Sequence, residues 1–452
     1  MLSTSSSHAP SSLIPLRHQT HLLHHHSHNG HHHHHYQHQQ HGYALSNVEE
    51  QFEEELEGGE ENRTTESMRI TLDEAIEMNQ TLGFFHYRMF LLCGLAFMAD
   101  ALEVNLLAFL ATCAGVEWSL SNAQKASITG IVFCGIIVGS AIWGVVSDLY
   151  GRKTGFILAT LVVSIGGFFS SIAPSYGILL FCQSLVGLGI GGTSVPFDLL
   201  AELMPINKRG VFLIYIQYFW AVGSMAVSGL AWLLLDSYGW RTLALITVIP
   251  VALTSIVSIL YLPESPRWLL SIGKCAQAEK ILLDAAHLNG LRLPDFQLRP
   301  DDSSTSNNSH SSSSTINYLS IIKNRHIRNV MIPLWIVWGS FGFTYYGIIL
   351  FVSRLYTTSS EDSLTCSFDY SSIFLNAMSE VFSVTLSAIL VESIGRIKIQ
   401  TVFYALGAIA VFFMGFRLPT LAMILIGMIG RIAVFTSSVR IFTTNHFEYF
   451  LL

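Results

Sequence analysis

Ten apolar segments, each long enough to cross a lipid bilayer, follow one another from Tyr87 onward. An α-helix rises 1.5 Å per residue, so about twenty residues cross the hydrocarbon core. The composition excludes an ordinary soluble domain, because 51% of the residues are hydrophobic and only 12% are charged. The sequence therefore predicts an all-α polytopic membrane protein with spans at about 88–114, 126–149, 154–173, 176–200, 211–236, 241–262, 329–354, 370–391, 399–416 and 420–442.

Lysine and arginine are concentrated in alternate connections between these segments. Those connections hold Arg152–Lys153, Lys208–Arg209, residues 267–328 and Arg396 with Lys398. The positive-inside rule places them, and with them both termini, in the cytoplasm. Plasma membrane and internal vesicle or vacuole membrane remain as alternatives. The net charge of −7 owes much to the acidic stretch 49–61, so it gives no indication of nucleic-acid binding.

One short motif occurs twice at equivalent places. The first copy, Gly144-Val-Val-Ser-Asp148-Leu-Tyr-Gly151-Arg152-Lys153, ends the second segment. A degraded copy, Ala388-Ile-Leu-Val-Glu392-Ser-Ile-Gly395-Arg396, ends the eighth. A repeat in which a hydrophobic run meets a basic turn indicates an internally duplicated membrane protein, as many transporters are.

The duplication divides the chain into four predicted regions. They are a disordered tail over 1–80, rich in His and Ser and then acidic, a six-helix bundle over 81–262, a cytoplasmic linker over 263–328, and a second bundle over 329–452. Within the linker we expect an amphipathic helix at 265–287 and a flexible Ser/Asn-rich insert at 303–314. The second bundle has four helices where the first has six, so we expect the natural reading frame to continue past Leu452.

The tail contains the tract His31–His35, with His24–His26 close by. Neutral imidazoles bind Zn, Cu or Ni, so a metal-responsive carrier is one interpretation of this tract. We favour a low-complexity tract without coordination geometry, because a metal site needs fixed ligands and groups that orient them. The sequence therefore predicts no metal and no other cofactor.

Several further stretches, together with Asp148–Lys153, resemble the major facilitator superfamily. They are Ala96–Glu103, Gly187–Gly192, Ala201–Pro205 with Arg209–Gly210, Leu262–Trp268 and Tyr345–Gly347. They are most similar to the branch that contains the synaptic-vesicle-two-related proteins and the organic cation, carnitine and nicotinate transporters. The resemblance covers about residues 70–440 and implies a two-bundle fold, here with about ten of the usual twelve helices. It also implies a solute carrier whose bundles rock about a central site. One departure is Gln183, which stands where such relatives commonly carry Arg.

The charged turn after the second segment is a candidate conformational latch. Asp148 faces Arg152 and Lys153 across a turn that Gly151 permits, so the cluster can hold neighbouring helices together and must break when the bundles move. A topology signal alone would not need the acid or the glycines. Glu202 is the expected additional partner of the basic residues. The full predicted set is Gly144, Asp148, Gly151, Arg152, Lys153, Glu202, Glu392, Gly395 and Arg396.

Three acids lie deep within predicted spans, where each ionisable group costs a few kcal/mol and is a functional candidate. Asp100 is about 18 Å into the first span at 1.5 Å per residue, and Glu103 is one turn further on the same side. Glu380 lies at similar depth in the eighth span. We expect all three to face a central cavity and to attract a cation or carry protons, with Arg431 as the one candidate for a neutralising partner. The alternative is a structural carboxylate hydrogen-bonded to neighbouring helices.

Aromatic residues and cysteines give weaker signals. Four candidate cavity aromatics lie on the seventh span, and core packing is the favoured alternative for them: Trp335, Trp338, Tyr345 and Tyr346. The six cysteines show no paired spacing, and most lie in apolar runs, so no disulfide is predicted.

The sequence predicts a secondary transporter of a small organic solute, with an organic cation and proton coupling as the finer expectation. An enzyme is not expected, because no nucleotide loop and no nucleophile with a base are recognisable. The competing hypothesis is a non-transporting membrane sensor or scaffold built on a truncated transporter fold. The expected partners are the solute, protons and the lipid bilayer.

Overall fold

The computed structural model describes residues 68–78, 82–192, 194–294, 296–298, 325–357, 366–416 and 418–444. These residues belong to one compact unit, Met68–Leu452. The histidine tract, the Ser/Asn-rich insert and the last eight residues lie outside the described ranges. Eight of the described helices are long and apolar enough to cross a bilayer, which confirms the prediction of an all-α polytopic membrane protein.

The first half contains the six predicted spans. Its helices are α2 (Phe84–Glu117), α3 (Asn122–Tyr150), α4 (Arg152–Ser171), α5 (Tyr176–Ile190), α6 (Ser194–Leu203), α7 (Ile206–Tyr215) and α8 (Gln217–Tyr261). Helices α5 and α6 together form the fourth span. Helix α8 turns back at Gly239, whose φ of +76° suits glycine, so its two arms are the fifth and sixth spans.

The second half contains four helices in the described part of the chain. They are α11 (Arg325–Leu355), α12 (Tyr370–Ile394), α13 (Arg396–Met414) and α14 (Thr420–Thr444). Each of them coincides with one of the predicted spans seven to ten. The two halves pack against each other along α8 and α12 and along α2 and α11.

A small platform joins the segment before the first span to the linker after the sixth. It consists of β1 (Met68–Ile70), α1 (Leu72–Met78), α9 (Pro266–Ser271), α10 (Cys275–Leu288) and β2 (Phe296–Leu298). Strands β1 and β2 pair in parallel, and Ile70, Leu282 and Phe296 lie in its core. The single amphipathic helix expected at 265–287 is two helices, because Gly273 breaks it with a φ of +75°.

The ends of the bundle define two faces. The basic face holds the Asp148–Lys153 turn, α9 and α10. The disulfide face holds the opposite ends of the helices, where Cys113 of α2 and Cys366 form a disulfide with their Cα atoms 5.2 Å apart. The expectation that no disulfide forms is therefore wrong, since packing of the two halves brings together two cysteines that are 253 residues apart in sequence.

Candidate functional site

A buried ion pair occupies the middle of the second half. The Arg431 Nε of α14 donates to the Glu380 Oε1 of α12 over 2.8 Å, and the Tyr345 hydroxyl of α11 donates to the same oxygen over 2.6 Å. Glu380 is fully buried and Arg431 nearly so. Since an unpaired charge at this depth is costly, the pair holds three helices in one arrangement. Arg431, the candidate neutralising partner, is thus placed directly on Glu380.

This ion pair extends across the boundary between the halves. Arg431 Nη2 lies 3.3 Å from Asn105 Oδ1 of α2, and Trp220 Nε1 of α8 donates to the Tyr345 hydroxyl over 2.5 Å. Asn105 also donates to Ser224 Oγ of α8 over 3.1 Å. We call Asn105, Trp220, Tyr345, Glu380 and Arg431 the central network. It connects helices α2 and α8 of the first half to α11, α12 and α14 of the second.

Asp100 lies beside this network and has no ion-pair or hydrogen-bond partner among the described residues. Its side chain is in α2, is 7% exposed, and interacts electrostatically with the half-buried Tyr346 of α11 and with Glu103. The structure therefore places one carboxyl group without a cation midway along α2, at the boundary between the halves.

Glu103 has a different neighbourhood from the one expected. It hydrogen-bonds Thr247 in the second arm of α8, and its Oε1 is buried without a hydrogen-bond partner in the described structure. A Cβ added to Gly167 of α4 would lie 3.8 Å from each of its carboxylate oxygens. Glu103 is thus inside the first half, between α2, α4 and α8, rather than on the boundary where Asp100 lies.

The four candidate aromatic residues lie in different environments. Tyr345 is buried in the central network and stacks on Phe341 with the ring planes 17° apart. Tyr346 packs on Phe133 of α3, with the ring centroids 4.9 Å apart, so it bridges the halves. Trp338 packs on Phe341, and Trp335 is 57% exposed on the surface of α11. Of the four, Tyr345 and Tyr346 lie next to the buried acids.

The charged turn between α3 and α4 contains an ion pair between Asp148 and Arg152. Arg152 Nη1 donates to Asp148 Oδ1 over 2.7 Å and to Ser147 Oγ over 3.0 Å. Gly151 has a φ of +102° and a ψ of +154°, a conformation that is essentially restricted to glycine. A Cβ added to Gly144 would meet nothing within 4 Å in the described structure, so a requirement for a small residue there finds no support in these contacts.

The acid that covers this turn is Glu264, which the sequence analysis did not single out. Its Oε1 accepts from the backbone N–H of Lys153 over 3.0 Å, and its carboxylate lies against Gly151. Trp268 of α9 adds a hydrogen bond from its indole N–H to the Asp148 carbonyl over 2.8 Å. The signal was present in the sequence, because both residues belong to the Leu262–Trp268 stretch that carried the family resemblance.

Glu202 does not contact this turn. Its carboxylate accepts a hydrogen bond from the Ser265 hydroxyl, and its charge acts on Arg209. The expectation that Glu202 is the additional partner of Arg152 and Lys153 is corrected here, since Glu202 bonds to Ser265 of the linker while the adjacent Glu264 bonds to the turn.

The second copy of the turn keeps the backbone of the first and has no cover in the described part of the chain. Gly395 has a φ of +87° and a ψ of +149°, close to the values at Gly151. A Cβ added there would meet nothing within 4 Å among the described residues. The side chains of Glu392 and Arg396 lie outside those that the structure describes, so their predicted latch remains a prediction.

The sequence matches the family model described as "Sugar (and other) transporter" over residues 96–443. The chain belongs to this family. The matched residues of this chain include Asp100, both charged turns and the whole central network.

Individual relatives agree with this assignment. The chain is 32% identical to svop-1 of Caenorhabditis elegans over 80% of this chain and 71% of that one. It is 29% identical to organic cation/carnitine transporter 7 of Arabidopsis thaliana, with coverage of 73% and 72%. It is 31% identical to the synaptic vesicle 2-related protein of Bos taurus, over 72% of this chain and 61% of that one.

Solved structures show the same fold. A partially occluded, inward-open structure of the xylose transporter XylE from E. coli superposes with a TM-score of 0.61 at 19% identity, covering 79% of this chain and 85% of that one. The chain is therefore a multi-pass membrane protein with the major facilitator fold.

Proposed function

We propose that this protein carries a small organic solute, an organic cation in the first instance, across its membrane by alternating access coupled to protons. The observation that carries the proposal is Asp100, a buried carboxyl group at the boundary between the halves with no partner in the described structure. A cation or a proton that reaches this group removes the cost of the uncompensated charge. The name of the Arabidopsis relative, an organic cation/carnitine transporter, supports the choice of solute class.

The central network supplies the contacts that change during such a cycle. Arg431 touches Asn105 of the first half only through a 3.3 Å hydrogen bond, whereas it is ion-paired to Glu380 within its own half. Separation of the halves then breaks the Arg431–Asn105 and Trp220–Tyr345 hydrogen bonds and keeps the ion pair. Glu380 and Arg431 accordingly position the second half, and Asp100 is the group that meets solute or proton.

The orientation that we propose places the basic face in the cytoplasm, following the positive-inside rule. The Cys113–Cys366 disulfide then lies on the opposite side, in the compartment where disulfides persist. Two independent features of the chain therefore agree on the same orientation.

The test uses purified full-length protein in proteoliposomes with tetraethylammonium as the first probe, with and without a pH gradient. We expect Asp100→Asn to lose accumulation driven by the pH gradient by about 10²-fold or more, of the order found for positioned proton-transfer groups. Asp100→Glu should restore part of it. The matched control is Glu117→Gln, an acid of the same helix that pairs with Arg241 near the disulfide face.

Unchanged gradient-driven accumulation in Asp100→Asn would contradict the assigned role of this residue. Absence of flux for tetraethylammonium and for a panel of other organic solutes would instead favour the sensor or scaffold hypothesis.

A further inference from the structure

The two halves have two covalent connections, one toward each face of the bundle. The first is the linker, which runs from the end of α8 at Tyr261 to the start of α11 at Arg325. The second is the Cys113–Cys366 disulfide on the other face. Only Ser367, Phe368 and Asp369 separate Cys366 from the first residue of α12. The connection on the disulfide face is therefore by far the shorter.

The length of each connection matters because rocking of the halves separates the helix ends on one face at a time. An extended chain reaches about 3.3–3.6 Å per residue, so the linker permits any opening that a transporter of this size needs. The three residues between Cys366 and α12 permit a separation about ten times smaller than the linker does. An intact disulfide thus limits opening on its own face and leaves the basic face free.

The short segment is also folded onto both halves. Phe368 packs on Phe109 of α2 with the ring centroids 5.2 Å apart. Tyr370 donates to Asp236 in the first arm of α8 over 2.5 Å. Asp369 caps α12 by accepting the Ser372 backbone N–H over 3.2 Å. Stretching the segment would break all three contacts, so the tether is shorter in practice than its extended length.

We propose that the Cys113–Cys366 pair is a site of reversible thiol modification that locks the disulfide face closed when oxidised. The proposal rests on the alternating-access function given above. Oxidised protein opens only toward the basic face, and solute then has no path through the disulfide face. Reduction removes the covalent tether and leaves the aromatic contact and two hydrogen bonds, which separate and re-form without bond cleavage.

The chemistry is thiol–disulfide exchange with a small thiol or dithiol on the disulfide face. Two thiol groups of the reductant supply two electrons and two protons, the protein S–S bond becomes two cysteine thiols, and the reductant becomes a disulfide. Cys113 is buried and Cys366 is half-exposed, so a reductant reaches the Cys366 sulfur first. The other described cysteines, Cys93, Cys134, Cys182 and Cys275, are free thiols.

The first experiment measures opening of the disulfide face without needing a solute. Donor and acceptor dyes are attached through maleimide chemistry to Ser175→Cys and Leu418→Cys, two exposed positions in turns of the first and second half on this face. The four free cysteines are replaced by serine in the same protein. A second dye pair, Lys208→Cys with Ile397→Cys, reports the basic face as the control.

In oxidised protein we expect the dye pair on the disulfide face to show one population, with a high efficiency of energy transfer from donor to acceptor. Dithiothreitol should add a second population of low efficiency, and Cys113→Ser and Cys366→Ser should each show both populations with or without dithiothreitol. The basic-face pair should be insensitive to redox state. An identical disulfide-face distribution in all of these samples would overturn the proposal.

Two further measurements keep the test decisive. Peptide mapping of non-reduced protein from native membranes should recover the Cys113–Cys366 cross-link. Recovery of Cys113 and Cys366 as two thiols that react with an alkylating reagent would overturn the proposal. The comparison with and without dithiothreitol needs no substitution of Cys113 or Cys366. It therefore still tests the proposal if a serine variant misfolds. A dye response without uptake of any solute would contradict the transport function and leave the lock intact.

Discussion

The two halves of this duplicated chain place their charge pairs at different depths. In the first half the ion pairs Asp148–Arg152 and Glu117–Arg241 lie near the basic face and the disulfide face, and the acids Asp100 and Glu103 between them have no cation in the described structure. In the second half the ion pair Glu380–Arg431 lies at mid-depth, and the turn at Gly395 is uncovered in the described structure. Duplication preserved the backbone of the turn while the two copies diverged in where charge is neutralised.

This difference assigns separate tasks to the halves. A buried ion pair with a further hydrogen bond fixes the packing of its helices, whereas an unneutralised acid is available to a ligand. We therefore propose that the second half is the framework in the middle of the bundle, and that Asp100 of the first half is the carboxyl group that meets a ligand. The sequence predicts that all three acids face one cavity. In the structure Asp100 lies at the boundary between the halves, Glu380 is paired with Arg431, and Glu103 lies within the first half.

The largest expected effect follows from breaking the mid-depth pair. Arg431→Met leaves Glu380 buried without a cation, and such a change costs about 3–5 kcal/mol. The double variant Arg431→Met/Glu380→Gln removes both charges and should recover a substantial part of the loss. Thermal unfolding of the protein in lipid nanodiscs measures both. A double variant no more stable than the single one would show that the pair is not what fixes these helices.

The two turns offer a matched pair of substitutions with a smaller effect. Gly151→Ala and Gly395→Ala both force alanine into a conformation that costs about 1–3 kcal/mol. At Gly151 the new methyl group would also displace the Glu264 carboxylate, so we expect the greater loss of thermal stability there. Equal losses at the two positions would mean that the cover over the first turn contributes nothing.

The smallest effect belongs to the exposed pair of the first turn. Asp148 and Arg152 are spaced i, i+4 and their side chains are 43% and 26% exposed, so Asp148→Asn should cost only about 0.3–0.5 kcal/mol. High salt should abolish the difference from the unmodified protein, because it screens exposed pairs. A loss that persists in 1 M salt would place the contribution of Asp148 in its packing rather than its charge.

Hydropathy predicted the ten spans because a bilayer requires each crossing segment to be apolar along its whole length. A rise of 1.5 Å per residue also predicts that Asp100 and Glu380 lie near the midplane, and this depth stays a prediction. The direction in which a side chain points could not be predicted. Glu103 lies about 60° around the helix axis from Asp100, and that rotation turns it toward Thr247 instead of the other half.

Contacts between distant segments were beyond the sequence pattern. Cys113 lies in an apolar run, where cysteine is normally a small hydrophobic residue, and its partner is 253 residues away. Glu264 follows the sixth span and reaches the turn after the second because the bundle places the end of α8 beside that turn. Both contacts depend on how helices are arranged around the bundle, which composition and periodicity do not specify.

The parallel pairing of β1 with β2 sets an order of events during synthesis. Met68 pairs with Phe296, which leaves the ribosome roughly 230 residues later. At about 5–20 residues per second, β1 waits on the order of 10–50 s before its partner exists. By then all six spans of the first half have been made, so the platform closes only after that half is complete.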